Sequence, residues 1–246
     1  MIPAFNEQET IGQALREAGS ALSALVHRYE IIVVDDGSDD GTAAIVEKAR
    51  RRNPHVRLVR HESNFGYGAA LRTGFQVAHY DLVGFTDADC QFDLGELKIM
   101  LPLTRQHDMV CGYRIDRRDP LRRRFLSWGY NWLTRLLLGN PVRDIDCALK
   151  IFYRRHLPDL LPESNNFFVN TEMLSRACRM GLSVAEVGVH HRRRSAGRSK
   201  VSLADIPRTL SALIPYWWSH HLFGRSRRPD EPAVFEFSVQ KISSDR

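Results

Sequence analysis

The chain runs Leu82-Val83-Gly84-Phe85-Thr86-Asp87-Ala88-Asp89 at the stretch that decides its fold. The stretch begins with an apolar run that is too short for a helix and is closed by polar residues, a pattern typical of a buried parallel strand. Asp87 and Asp89 then lie on the same side of an extended segment. Two such carboxylates suit a hard cation such as Mg²⁺ or Mn²⁺, and Gln91 could add an amide oxygen. Taken alone, the triplet also fits acids of a solvated loop.

The same plan is repeated along the chain, where apolar runs closed by turn-forming residues alternate with amphipathic segments. Asn6 with Glu9 predicts the N-cap of the first helix, and Asp93 predicts that of the fourth. The alternation indicates an α/β fold, an open and mostly parallel sheet covered by helices, with a ligand crevice at the carboxyl ends of its strands. Predicted strands cover 31–34, 56–59, 82–86, 109–113 and 184–190, and predicted helices cover 11–26, 42–53, 69–79, 94–105, 121–138, 171–180 and 203–221.

The composition is that of a globular protein, with 43% hydrophobic and 26% charged residues among 246. No apolar run of about 18 residues occurs and the first residues lack the pattern of a signal peptide, so we expect no spanning helix and a cytoplasmic location. The four cysteines form no C-x-x-C pair, which argues against a zinc site or a disulfide framework. The expected organisation is a main domain over 1–202, an amphipathic helix over 203–224 and a flexible tail over 225–246.

Positive charge exceeds negative charge, with 35 lysines and arginines against 29 acids, and arginine supplies 30 of the 35. Guanidinium groups bind phosphate through two parallel hydrogen bonds, so the excess indicates affinity for anions. A solvated charged face is the alternative interpretation. The arginines concentrate in two clusters, Arg114, Arg117, Arg118, Arg122, Arg123 and Arg124 in the first, and Arg192, Arg193, Arg194 and Arg198 with Lys200 in the second.

Four motifs occur in an order and spacing that carry more weight than any one of them. They are residues 3–7, residues 33–42, residues 64–68 with Arg72 and Gly74, and residues 86–91. Together they resemble the nucleotide-sugar-binding half of inverting family-2 glycosyltransferases, which have the GT-A fold. Residues 144–152, 186–192 and 197–200 resemble segments of the polyprenyl-phosphate branch, the relatives of dolichol-phosphate mannose synthase. The resemblance implies inverting transfer of a hexose, such as mannose or glucose, from a nucleotide sugar to a polyprenyl phosphate.

The resemblance also assigns roles to single residues on the donor side, where GDP-mannose or a UDP-hexose is the expected ligand. The base and ribose would lie against Ala4, Glu7 and Asp36. Asp87 would lie near the ribose and Arg72 near the diphosphate. Glycines in the third motif would let the backbone approach the nucleotide closely. The full set expected to bind the donor is Pro3, Ala4, Phe5, Glu7, Asp35, Asp36, Gly66, Gly68, Arg72, Asp87 and Ala88.

The metal and the acceptor are assigned in the same way. Asp89 would be the principal ligand of Mg²⁺ or Mn²⁺ and essential for catalysis, helped by Asp87 and Gln91. A phosphate monoester is already an anionic nucleophile near neutral pH, so it needs positive charge and no general base. A sugar hydroxyl of a cell-envelope polysaccharide would instead need a catalytic carboxylate, for which Asp144 or Asp146 is available. The candidates for holding the acceptor phosphate are Arg114, Arg117, Arg198 and Lys200.

Two other classes of protein share parts of this pattern. A sugar-phosphate nucleotidyltransferase has a similar α/β plan, but it requires a glycine-rich, arginine-containing loop where this chain has residues 3–7. A non-catalytic nucleotide-, anion- or nucleic-acid-binding module could use the arginines. Such a module would have no use for Asp87 and Asp89 beside a bound nucleotide. We therefore expect an enzyme, with no nucleic acid among its partners.

A polyprenyl phosphate lies in a bilayer, so an enzyme without a spanning helix must bind the membrane surface. Aromatic-rich amphipathic segments beside basic residues suit the headgroup region. The same segments could instead pack on the sheet or form a homodimer interface. We expect peripheral association with the cytoplasmic face of the membrane through two such segments. The first contains Phe125, Leu126, Trp128 and Trp132, and the second contains Leu203, Leu210, Leu213, Ile214, Trp217 and Trp218.

Overall fold

The structure is a computed structural model, which describes residues 1–115, 121–139, 142–166, 168–193, 211 and 213–218, with the backbone alone for 121–126. The strands are β1 (Ile2–Ala4), β2 (Ile31–Asp35), β3 (Val56–Arg60), β4 (Leu82–Phe85), β5 (Met109–Arg114), β6 (Lys150–Tyr153) and β7 (Val184–Val189). The helices are α1 (Ile11–Leu25), α2 (Thr42–Arg52), α3 (Tyr67–Gln76), α4 (Leu97–Leu103), α5 (Leu121–Leu138), α6 (Leu157–Leu160) and α7 (Val169–Arg179).

The central strands are parallel, with β2 between β1 and β3. All five residues of β2 are buried, which explains why its sequence is a continuous apolar run closed by Asp35. Strand β4 lies on the other side of β1, since Met1 N donates to the carbonyl of Gly84 at 2.7 Å and the Met1 carbonyl accepts from Thr86 N at 3.1 Å. The order then continues from β4 to β6, β5 and β7. The carboxyl ends of β1, β2 and β4 therefore lie together.

The connections place helices on both faces of the sheet. Helix α1 joins β1 to β2 and α2 joins β2 to β3, whereas α3 leads from β3 back past β1 to β4. Because such crossovers are right-handed, this reversal moves α3 to the opposite face. The contacts agree, since α1 packs on α2 while α3 packs on β1 and β2. The reversal between β1 and β4 is the position at which open α/β sheets bind ligands.

Strand β6 is a departure from the sequence prediction, which left residues 150–153 without an element. It pairs antiparallel with both β4 and β5, so the sheet is mixed at this point. Its four residues begin with Lys150, which is buried together with Ile151 and Phe152. A buried lysine at the first position of a short strand conceals the apolar pattern from sequence analysis.

The predicted N-cap at Asn6 is also wrong. Helix α1 begins after the cap residue Thr10, whose Oγ1 donates to Glu7 Oε2 at 2.9 Å. Asp93 does cap the 3₁₀ turn before α4, because its Oδ1 accepts from Gly95 N at 3.0 Å. Helix α3 begins at Tyr67 and therefore includes the end of the predicted glycine-rich turn.

The expected C-terminal helix over 203–224 is described only at residues 211 and 213–218, which are helical. Leu213 is buried there, whereas Ile214 and Trp218 are exposed. Leu203, Leu210 and the expected tail over 225–246 lie outside the described residues. Among the helices that the structure describes, none combines the length and apolar character needed to cross a membrane.

Candidate functional site

The loops that follow β1 and β2 are hydrogen-bonded to each other at the crevice. The amide of Asn6 donates to Ser38 Oγ at 2.9 Å, and the amide of Asp39 donates to Asn6 Oδ1 at 3.1 Å. The amide of Glu7 donates to Thr42 Oγ1 at 2.8 Å. Asn6 holds its position with a φ of 51°, a left-handed conformation that asparagine tolerates better than most residues. The first two predicted donor motifs therefore form one continuous rim.

The acidic pair lies at the end of β4, beside this rim. Burial and the nearby charge of Asp89 raise the pKa of Asp87 from 3.8 to about 7. Tyr67 donates its hydroxyl to Asp87 Oδ1 at 3.0 Å. Cys90 has a φ of 57°, and the amide of Gln91 donates to Asp89 Oδ1 at 3.2 Å. A left-handed non-glycine residue and a strongly shifted carboxyl pKa at one turn are features of functional sites.

The donor atoms of this turn fit a hard divalent cation. Repulsion between two neighbouring carboxylates is relieved when a cation binds both of them. No group of three or more His, Cys, Asp or Glu residues suited to a metal occurs in the described part of the chain. A cation at Asp87 and Asp89 would therefore take further ligands from water and substrate phosphate, as Mg²⁺ commonly does. Gln91 donates through Nε2 to the carbonyl of Arg192 at 3.2 Å, and its role as a metal ligand stays a prediction.

Asp36 accepts hydrogen bonds from the glycine-rich loop over residues 64–68. Its Oδ1 accepts from the amide of Phe65 at 3.0 Å, and its Oδ2 accepts from the amide of Gly66 at 2.8 Å. His61 Nδ1 lies 2.7 Å from Oδ1. The residue is only 3% exposed. These contacts order the loop and differ from the predicted contact of Asp36 with the base and ribose.

Asp35 is another predicted donor residue whose side chain is fully buried. Its Oδ1 accepts from Ser38 N at 3.1 Å, and Arg60 Nε lies 3.2 Å from Oδ2. Its carboxylate therefore stabilises the turn after β2, and its contact with the donor stays a prediction. Among the other residues predicted to bind the donor, Pro3, Ala4 and Ala88 are buried, and Phe5, Glu7 and Asp87 are half-buried.

Arg72 is bound by residues 162–165, a segment that we call the strap. Its Nη1 donates to the carbonyls of residues 162, 163 and 164 at 3.0 to 3.1 Å, and its Nη2 donates to the side chain of Asn165. Glu172 on α7 accepts from the amides of Glu163 and Ser164 at 2.9 and 3.0 Å. Arg72 on α3 is therefore connected to α7 through the strap. The sequence predicted that Arg72 would lie at the diphosphate, and that contact stays a prediction.

The glycines of the third motif allow close approach, as expected, but the approaching group is the strap. A Cβ atom on Gly66 would lie 2.5 Å from the carbonyl oxygen of Asn165, and one on Gly68 would lie 2.0 Å from that of Ser164. Gly66 also has a φ of 97°. The amide of Gly68 donates to Asn165 O at 3.0 Å. The start of α3 is therefore covered by protein backbone at these two positions.

Arg114 is the one predicted acceptor residue within the described ranges. It forms a two-pronged ion pair with Asp144, with Nε to Oδ2 at 2.6 Å and Nη2 to Oδ1 at 2.7 Å. Both side chains are 7% exposed. This pair fixes the loop before β6 against β5, and a contact of Arg114 with the acceptor stays a prediction. Arg117, Arg198 and Lys200 lie outside the described residues.

Sequence analysis missed a group of polar side chains that connects the core to the acidic pair. It consists of Lys150, Asn170 and Tyr67, which connect β6 and α7 to the start of α3. Lys150 lies in the motif over 144–152 and Tyr67 in the motif over 64–68. Their positions in these motifs were the signal that could have identified them as functional residues. Asn170 carried no signal, because a single asparagine in a helix has no distinctive pattern.

Comparison with known proteins identifies the family. The model of glycosyl transferase family 2 matches residues 1–161. Glycosyltransferase AglD of Haloferax volcanii is 32% identical over 231 residues, which cover 89% of this chain and 36% of that protein. The chain therefore spans about a third of the length of this curated relative.

Solved structures of glucosyl-3-phosphoglycerate synthase from Mycobacterium tuberculosis have a similar fold. The complex with Mn²⁺, UDP and glucosyl-3-phosphoglycerate has a TM-score of 0.67 and 23% identity, covering 88% of this chain and 77% of that one. The complex with Mg²⁺ and UDP has a TM-score of 0.69 and 22% identity, with the same coverage. The likeness confirms the GT-A fold. With the family model matching most of its length, the chain belongs to glycosyl transferase family 2.

Proposed function

We propose that this protein transfers a hexose from a nucleotide sugar to a polyprenyl phosphate with inversion at the anomeric carbon, and that it requires Mg²⁺ or Mn²⁺. The observation that carries this proposal is the placement of Asp87 and Asp89 at the switch point of the sheet, beside the joined loops after β1 and β2. A family-2 chain with such an acidic pair is suited to bind a nucleoside diphosphate together with a cation.

On the donor side, Asp87 and Asp89 would hold the cation, which supplies positive charge to the departing diphosphate. The half-buried Phe5 and Glu7 lie on the rim where the base and ribose would bind. The synthase from Mycobacterium tuberculosis binds UDP with Mn²⁺ or Mg²⁺, which supports a nucleoside diphosphate as the leaving group here. GDP-mannose and UDP-hexoses are the donors to be compared.

On the acceptor side, a phosphate oxygen would attack the anomeric carbon while the bond from that carbon to the diphosphate oxygen breaks. The attacking phosphate monoester is ionised near neutral pH, so no side chain has to remove a proton. Positively charged groups would hold it in line with the leaving group. Arg117, Arg198 and Lys200 are the residues we propose for this role, with Arg114 fixing the adjacent strand end through Asp144.

The alternative acceptor is a sugar hydroxyl, which would need a carboxylate as general base. Asp144 is poorly placed for that task, because both of its oxygens bind the guanidinium of Arg114 and its side chain is buried. Asp146 is exposed and is the remaining candidate. Asp146→Asn therefore separates the two cases. The variant should retain transfer to a phosphate acceptor and should lose transfer to a hydroxyl.

We further propose that the protein acts at the cytoplasmic surface of the membrane, where a polyprenyl phosphate presents its head group. Helix α5 supports this proposal, because Trp128, Trp132 and Leu136 recur every four residues and are 56 to 65% exposed. The residues over 121–138 include four arginines and no acid. Exposed aromatic residues on a segment whose sequence carries net positive charge match an anionic lipid surface.

The test is a transfer assay with the purified chain, Mg²⁺ or Mn²⁺, and several donors. Product should form with a polyprenyl phosphate, should require the metal, and should have the opposite anomeric configuration from the donor by NMR. Transfer to a sugar hydroxyl with none to any polyprenyl phosphate would contradict the proposed acceptor. Retention of configuration would contradict the proposed mechanism.

A further inference from the structure

A series of polar side chains runs from the buried Lys150 to the half-buried Asp87. The register of β4 and β6 pairs Lys150 with Phe85, two residues before Asp87. Lys150 is 1% exposed, and its Nζ lies 3.4 Å from Oδ1 of Asn170, which is 4% exposed. The side chain of Asn170 hydrogen-bonds to Tyr67, whose hydroxyl lies 3.0 Å from Asp87 Oδ1. Strand β6, helices α7 and α3, and the end of β4 thus each contribute one member.

The chemistry of these groups fixes the direction of every hydrogen bond. An ammonium can only donate, so Asn170 must present its carbonyl oxygen to Lys150. Its amide nitrogen then donates to the hydroxyl oxygen of Tyr67. Tyr67 has a single proton, and when Asp87 is ionised, as cation binding requires, Tyr67 donates this proton to it, because an ionised carboxylate can only accept. All donors therefore point from the lysine toward the acidic pair.

The charge of Lys150 is compensated at a distance. Its Nζ donates to the carbonyls of Ile145, at 2.9 Å, and Cys147, as well as to Asn170. Among the described residues it forms no direct ion pair with a carboxylate. A buried charge is costly unless another charge balances it. Asp87 is the carboxylate at the other end of the series.

We propose that Tyr67, Asn170 and Lys150 are positioning residues that fix Asp87 Oδ1 and orient this carboxylate for a divalent cation. The proposal deepens the proposed function, since it rests on Asp87 being a metal ligand. Partners that hydrogen-bond to a metal-binding side chain typically change metal affinity by about 10- to 100-fold when they are removed. Connected buried hydrogen bonds also strengthen one another.

The first test removes one hydroxyl. Mn²⁺ binding by the full chain is measured by electron paramagnetic resonance of free Mn²⁺, alone and with UDP or GDP. Tyr67→Phe should raise the Kd for Mn²⁺ about tenfold. The matched control is Tyr153→Phe, since that hydroxyl donates to the Thr104 carbonyl at 2.9 Å and Tyr153 pairs with Leu82, at the far end of β4. The control should bind Mn²⁺ within about twofold of the wild-type protein.

The second test reverses the direction of a hydrogen bond without changing the shape of the side chain. In Asn170→Asp the new carboxylate still accepts from Lys150, so the variant should fold and keep its melting temperature. It also accepts the only proton of Tyr67, which is then lost to Asp87. We expect weaker Mn²⁺ binding at unchanged thermal stability. If Asn170 had only a structural role, the Mn²⁺ affinity and the melting temperature of the variant would fall together.

The outcomes separate this inference from the proposal on which it rests. If the wild-type chain binds no Mn²⁺ with or without nucleotide, both the metal site and its positioning residues are wrong. If the wild-type chain binds Mn²⁺ and both variants match it within about twofold, the metal site stands and the positioning role is wrong. Weaker binding in both variants, with Tyr153→Phe unchanged, supports the role of the series.

Discussion

Asp89 lies at the end of β4, where we expect it to bind the metal. It is half-buried at the strand end, and its Oδ1 accepts from the amide of Gln91 at 3.2 Å. In Asp89→Asn the amide oxygen can still accept that hydrogen bond, so the melting temperature should stay nearly unchanged. An amide is a poorer ligand than a carboxylate for a hard cation, so transfer should fall by orders of magnitude. Assays of transfer and thermal unfolding test this prediction, and near-normal turnover would place the metal elsewhere.

Asp87 should make metal binding depend on pH. Its pKa is raised to about 7 by burial and by Asp89, so the folded protein retains a proton that the unfolded chain releases near pH 4. The contribution of this group to stability therefore falls as the pH rises from about 4 to about 7. Mg²⁺ requires the ionised form, so it should raise the melting temperature more at pH 8 than at pH 5.5. Asp87→Asn is the control and should abolish the difference, whereas equal shifts for the wild-type protein would contradict the prediction.

Single residues show where sequence reasoning succeeds and where it stops. The position of Asp87 and Asp89 follows from local pattern, because a strand end determines where the next two side chains lie. The partners of Arg72 and Asp36 are set by residues about 90 and 30 positions away, and no local pattern indicates them. The local motifs therefore point to the switch point of the sheet, whereas the contacts of Arg72 and Asp36 had to come from the structure, and their roles at the donor stay predictions.

At the scale of elements, the start of α3 and the strap require each other. A Cβ on Gly68 would lie 2.0 Å from a backbone carbonyl, which cannot move aside as a flexible side chain can. Gly68→Ala should therefore destabilise the protein by about 1 to 3 kcal/mol. Gly129 in α5 has nothing within 4 Å of its added Cβ, so Gly129→Ala should stabilise by about 0.5 to 1 kcal/mol. Urea unfolding measures both, and equal stability of the two variants would contradict this packing.

Most elements were predictable because their patterns are local. The apolar runs of β2 and β4 and the periodicity of α1 and α2 appear at the expected positions within a few residues. Strand β6 was not predictable, because four residues that begin with a lysine satisfy neither the alternating nor the continuous pattern. No short-range signal encodes its antiparallel pairing with β4 and β5.

At the scale of the whole molecule, polar contacts join residues 1–91, which contain the predicted donor and metal motifs, to elements that follow β5. The strap links Arg72 on α3 to Glu172 on α7, and the series ending at Asp87 links α3 to β6 and α7. The turn after β4 is tied to the segment after β7, where the amide of Arg192 donates to Gln91 O at 2.8 Å. The described residues that would bind the donor and the metal are thus connected to β6, α7 and the segment after β7.

Helix α5 has one side that packs against the protein and one side that is exposed. One side of the helix is anchored, since Thr134 is fully buried and Asn131 Oδ1 accepts from the amide of Ile145 at 3.1 Å. The opposite side exposes Trp128, Trp132 and Leu136. Trp128→Ser combined with Trp132→Ser should therefore reduce sedimentation with anionic liposomes and slow transfer to a long-chain acceptor, because the exposed indoles would otherwise enter the headgroup region.

Three controls distinguish the lipid surface from the other surfaces that this face could contact. Binding of UDP or GDP should be unchanged, since these side chains are exposed and neither is among the residues proposed to bind the donor. Sedimentation with neutral liposomes should be weak for the wild-type protein, and high salt should weaken its binding to anionic ones, because four arginines of 121–138 contribute. The alternative is that this face forms a homodimer interface. That would be indicated if the wild-type protein formed a dimer in a concentration-dependent manner, and if the double variant lost the dimer but still bound liposomes like the wild-type protein.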